Sequence, residues 1–206
     1  MNHRKQFFIL LLFFAVFSAN SYAQDTVKNK PTQTVYTAIE AAPEYPGGAK
    51  AFYKYIAKNL RYPEAAITLG LSGEVVVSFI IEKDGEVSTV TPVSCLGAGC
   101  ESEAARVISA AGSWQPGIQN GRPVRVQYRV PITFNVGDTS AVKLKSLKHS
   151  DYGFYFFING KTYSVDEAES ILGKTYSPSD ILTAEPLDDP KYAMPDKKGV
   201  YLIVMK

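Results

Sequence analysis

Cys95 and Cys100, in Cys-Leu-Gly-Ala-Gly-Cys, are the only thiols of the 206-residue chain, and His3 and His149 its only imidazoles. A thiol pair in an oxidising compartment closes a disulfide, and that is the expectation for Cys95 and Cys100. Redox catalysis is the competing reading, but it usually shows Cys-x-x-Cys at a helix start, and the spacing here is wider. A structural zinc site needs about four ligands, whereas the chain from Gln24 on, once an export signal is removed, holds two Cys and a single His, His149. His149 follows lysines in Lys145-Ser146-Leu147-Lys148-His149 and reads as a solvated linker residue. Serines and carboxylates are plentiful, but no Gly-x-Ser-x-Gly elbow or zinc motif accompanies them. The expectation is a protein without catalysis, cofactor or metal.

The first residues read as an export signal. His3, Arg4 and Lys5 precede an apolar run from Phe7 to Val16, and Ser21-Tyr22-Ala23 supplies the small-residue cleavage site. Cleavage then leaves a chain starting at Gln24. An uncleaved anchor is the alternative, although Phe7–Ala19 is shorter than the roughly 20 apolar residues that span a bilayer. Removing residues 1–23 takes away Arg4 and Lys5 and no acids, leaving 20 basic and 20 acidic residues. A neutral chain without a basic run has no electrostatic pull on a phosphate backbone, so nucleic acid is not expected as a partner.

The elements that must position any site centre on Ser72–Val93, two β-branched runs joined at Asp84-Gly85. A Gly after Asp between apolar runs is a hairpin signal. Val75–Ile81 is apolar at nearly every residue, which places that strand in the middle of its sheet. Before it, Ala42-Pro43-Glu44-Tyr45-Pro46-Gly47-Gly48 interrupts regular structure after a short strand or arm at Val35–Ile39. Ala49–Leu60 is an amphipathic helix with Phe52, Tyr55 and Ile56 on its apolar face, and Pro63 opens a second helix that Gly70 closes. After the hairpin, Glu101–Ala111 reads as a helix. Trp114-Gln115-Pro116-Gly117 ends it, with Trp114 read as a core anchor in preference to a ligand platform.

Arg122–Phe134 alternates cleanly, with Val124, Val126, Tyr128, Val130, Ile132 and Phe134 on one face. The directions of the connections make this third strand antiparallel to the first. The fold is therefore α+β: a three-stranded antiparallel sheet, order 2-1-3, with helices on one face and the third strand on an edge. Pro131 agrees with an edge, since it lacks a ladder donor. Residues 137–150 read as a polar linker. Residues 151–206 read as a small C-terminal α/β unit, with strands at Tyr152–Ile158, Ile181–Leu187 and Val200–Met205 and a helix at Val165–Leu172.

Seven motifs occur in order between Ala42 and Phe134: Pro43-Glu44-Tyr45-Pro46-Gly47-Gly48, Tyr62-Pro63-Glu64-Ala65-Ala66, Gly73-Glu74-Val75, Lys83-Asp84-Gly85, Trp114-Gln115-Pro116-Gly117, Gly121-Arg122-Pro123-Val124 and Pro131-Ile132-Thr133-Phe134. Together they resemble the TonB C-terminal domain family. The resemblance implies, for residues 42–136, the periplasmic tip of an energy transducer that binds the extended TonB box of outer-membrane receptors. Ile67 stands where enteric members carry a glutamine that helps meet the receptor. The tail, through Phe157-Ile158-Asn159-Gly160-Lys161, Ser177-Pro178-Ser179-Asp180-Ile181 and Lys198-Gly199-Val200-Tyr201-Leu202-Ile203, resembles the end of the plug domain of TonB-dependent receptors. An unrelated α/β cap fits the same pattern.

An edge strand takes a guest strand by main-chain hydrogen bonds. The expected function is a soluble periplasmic module that recognises receptor segments by strand addition. Val124, Arg125, Val126, Gln127, Tyr128 and Arg129, with Ile67, are the expected contacts. The partner is a TonB-dependent outer-membrane receptor or a related transport component. A structural role, with self-association through the edge strand and tail, is the alternative. A plug-like tail is further expected to cover the third strand in cis.

Overall fold

The sheet grows from one hairpin. The computed structural model describes residues 35–36, 39–137 and 139–206. The export signal at 1–23, its cleavage point and residues 24–34 and 37–38 of the expected N-terminal arm at 24–41 lie outside the described residues. In chain order, β1 is Val35–Tyr36, α1 Gly48–Asn59, α2 Glu64–Leu69, β2 Gly73–Ile81 and β3 Val87–Pro92. Next come α3 at Cys100–Ser109, β4 at Gly117–Gln119 and β5 at Arg122–Phe134. The C-terminal part holds β6 at Val142–Lys143, α4 at Leu144–Lys148, β7 at Gly153–Ile158, β8 at Lys161–Ser164 and α5 at Val165–Leu172. It closes with β9 at Thr175–Tyr176, β10 at Ile181–Pro186 and β11 at Val200–Met205.

β2 lies between β3 and β5, antiparallel to both, as its unbroken apolar run predicts. Its turn closes where Gly85 takes φ +87°, and Gly85 N–H donates to Glu82 O at 3.0 Å. The 2-1-3 order holds for these three strands, but the sheet is larger than three. β1 adds parallel to β5, Val35 opposite Arg125 and Tyr36 opposite Val126. β4 forms a tight hairpin with β5 through Asn120 and Gly121, both at positive φ. A second sheet runs β10-β11-β7-β8, and β6 pairs with β9.

The helix face of the first sheet carries the alternating residues of β5: Val124, Val126, Val130, Ile132 and Phe134 are buried there. Phe52 and Ile56 of α1 and Val107 and Ile108 of α3 share one buried cluster with Val130, Ile132 and Phe134, while Val124 and Val126 are buried outside it. That cluster continues without a break into the C-terminal part, through Leu144, Leu147, Phe154, Phe156 and Ile203. Backbone and glycine contacts tie the two parts together. Ala98 N–H donates to Ala184 O at 2.6 Å, and Tyr176 Oη donates to Leu69 O at 3.3 Å. Gly97, at φ +91°, has room for no side chain, since a Cβ there would sit 2.7 Å from Ala184 N. Residues 142–148, read from sequence as a polar connector, are β6 and α4, because Leu144 and Leu147 find apolar cover one helical turn apart.

The expected disulfide is not formed. Both cysteines are free: Cys100 is buried at the start of α3, while Cys95 Sγ lies 3.4 Å from Glu185 Oε1 and 3.7 Å from Thr183 Oγ1. A carboxylate closes the loop instead, with Glu101 accepting from the N–H groups of Leu96 and Gly97. Burial pushes the Glu101 carboxyl up, but those backbone donors outweigh it and hold the group below its usual range. Burial also pushes the Cys95 thiol up to about 11 and that of Cys100 to about 12. So few thiolates exist at pH 8 that Cys95 should alkylate roughly a hundredfold slower than a free cysteine. Mass spectrometry after timed iodoacetamide treatment without reductant checks this; a thiol seen only after reduction would mean a disulfide.

Candidate functional site

The direction of the β5 backbone groups decides what this strand can offer. Val76, opposite Pro131, turns both its main-chain groups away from β5: its carbonyl accepts from Val93 N–H at 2.8 Å and its N–H donates to Ser94 Oγ at 2.7 Å. Val76 and Pro131 are therefore a non-hydrogen-bonded pair, in which each residue points its main-chain groups outward. By alternation, Gln127, Arg129, Pro131 and Thr133 present their backbone to the outer flank of β5, away from β2. Proline at 131 is tolerated there because the missing donor would face outward.

That outer flank is occupied in one part and open in another. β1 pairs with Arg125 and Val126, while among the described residues no strand pairs with the outer flank from Gln127 to Phe134. The expectation that this strand lies on the sheet's edge is thus corrected in part: the chain's own β1 pairs beyond it at one end. The tail does not take it, contrary to the expected cis cover, because its strands pair within their own sheets.

The expected contact residues divide accordingly. Val124 and Val126 are buried in the helix face. Arg125 is engaged by Glu82, Nε to Oε2 at 2.6 Å and Nη2 to Oε1 at 2.8 Å. This pairing, chiefly the hydrogen bond from Arg125, holds the Glu82 carboxyl below its usual range, against its own burial. Gln127 Nε2 donates to Ser78 Oγ at 2.9 Å. Arg129 is exposed, and Tyr128 is half-buried on the helix face. Ile67 is 51% exposed on α2, but it lines a shallow depression with Ser150, Asp151 and Tyr152, whereas the cleft beside β5 is lined by other residues.

That cleft, about 300 Å³, opens between Pro43, Glu44, Tyr45, the first turns of α1 and Tyr128 with Val130 of β5. β5 contributes to its wall and β2 and β3 do not, so it lies under the outer flank. Trp114 forms its floor, with ring centroids 4.8 Å from Phe52, 5.4 Å from Tyr45 and 5.6 Å from Tyr128. Trp114 is a core anchor, as its sequence context predicts, and also lines the cleft. The backbone of Glu44 is fixed by two hydrogen bonds with Gln115, at 3.0 and 2.8 Å. Sequence reading passed over Glu44, Tyr45, Phe52 and Tyr53 as a wall. The available signal was the crowding of aromatic residues on both sides of Pro46-Gly47-Gly48.

The fold and flank define an α+β module with one sheet edge that is partly open among the described residues. Residues 58–136 match the family described as "Gram-negative bacterial TonB protein C-terminal", so the resemblance drawn from the motifs holds for that stretch. Two solution structures of the Helicobacter pylori TonB C-terminal domain, a shorter and a longer segment, are also similar. They share 25% and 26% identity, cover 44% and 43% of this chain and 95% and 79% of their own, and overlay with TM-scores of 0.34 and 0.33. No curated protein matches the chain. Among the described residues no helix is long and apolar enough to cross a membrane.

Proposed function

We propose that this protein is a periplasmic TonB-like binding module, without catalysis, that captures an extended segment of an outer-membrane receptor or related transport component by strand addition. One observation carries the reading: the outer flank of β5 from Gln127 to Phe134 is unpaired among the described residues, beside a strand already paired on its inner flank. A guest gains main-chain hydrogen bonds there without disturbing β2. The match of residues 58–136 to the TonB C-terminal family supports the choice of partner.

Arg129→Pro is the direct test, because it deletes an outward donor and leaves the pairing with β2 formally intact. Peptide affinity should fall about fivefold, as one hydrogen bond is lost at about 1 kcal/mol, while the circular dichroism spectrum is retained. Unchanged affinity would mean that the guest binds elsewhere. Concentration-dependent dimers indifferent to peptide would favour self-association through the same flank.

A further inference from the structure

The cleft beneath the open flank has a chemistry of its own. A strand added beside β5 points alternate side chains to the helix face, in step with Tyr128 and Val130. The guest residue opposite either of these is aimed into the aromatic cleft. Every residue lining that cleft is apolar or aromatic except Glu44, and none of the ion pairs among the described residues uses Glu44. Rings with one unpaired carboxylate at the rim complement a cation on an apolar stem: the stem lies on the rings, the charge faces their π surfaces and the carboxylate.

The geometry points to a guest segment that carries arginine or lysine at the position facing this cleft, held by Tyr45, Tyr53, Trp114 and Glu44. The inference rests on the strand-addition reading and adds to it the side-chain class that the module selects. Arginine suits the site better than lysine, since its planar guanidinium stacks on rings and presents a fork to a carboxylate. The preference weakens with salt, because Glu44 is exposed.

Trp114 is the only tryptophan, so its fluorescence reports on the cleft directly. The test titrates the protein with three extended peptides of alternating threonine and valine that differ at one central residue, arginine, leucine or glutamate. The arginine peptide should bind about tenfold more tightly than the leucine peptide, and the glutamate peptide more weakly than either. Glu44→Gln should bring arginine down to the level of leucine. Equal binding of arginine and leucine peptides, within a factor of two, overturns the inference and leaves strand addition standing. Failure of all three peptides to bind, with no change at the backbone amides of Gln127, Arg129 and Thr133 by NMR, overturns strand addition and the inference with it.

Discussion

Alanine at position 85 is expected to lower stability by about 3–5 kcal/mol. Gly85 holds φ +87°, a conformation that costs a residue with a Cβ roughly 1–2 kcal/mol. Space is the larger problem, since a Cβ there would lie 1.9 Å from the carbonyl oxygen of Trp114, and a backbone atom cannot swing aside. Moving the two segments apart also breaks the bond from Trp114 N–H to Gly85 O, now 2.8 Å. Overpacking and the lost bond together add about 2–3 kcal/mol. Urea denaturation of Gly85→Ala measures the loss. Gly121→Ala is the control: its φ is +67° but nothing lies within 4 Å of its Cβ, so only the conformational cost should appear. Equal losses in the two variants would show that the hairpin tip does not abut Trp114.

Phe156→Ala is expected to cost about 3–5 kcal/mol, the range for emptying a fully buried aromatic site. The more telling part of the result is where the loss is felt. Phe156 sits in β7, yet the buried cluster runs from it through Leu144 and Leu147 to Leu69 and Phe134. Trp114 fluorescence and far-ultraviolet circular dichroism should therefore fall together, at the same lowered urea concentration. Two separate transitions, with the fluorescence midpoint unmoved, would mean that the C-terminal part unfolds alone.

Local signals account for most of what was legible in the sequence. Asp84-Gly85 and Asn120-Gly121 mark turns because positive φ is cheap there, and the alternation from Val124 to Phe134 predicts the buried face of β5 correctly. Pro131 points to an edge, and its place on the outer flank bears out that logic at the one residue concerned. What escaped was set by contacts distant in the chain. Nothing in Val35–Tyr36 says that it pairs with Arg125–Val126, and nothing in Leu144–Lys148 reveals apolar cover until β6, β7 and α5 are in place. The cysteine pair misled because spacing permits a disulfide, while the loop is held by Glu101, whose carboxylate reaches backbone donors that no sequence pattern displays. The aromatic cleft escaped for a related reason: Trp114 and Tyr45 are core residues and wall residues at once.

β1 pairs with β5 as far as Val126, and among the described residues no strand pairs with the outer flank from Gln127 to the end of β5 at Phe134. If a guest strand adds there as proposed, it meets a berth with β1 at one end. Eight residues at about 3.3 Å each give roughly 26 Å of backbone, so on that reading a short tag would fit beside β5, whereas one extended toward Val126 would meet β1. On the same reading, competition between such a segment and β1 would make the berth a gauge of tag length.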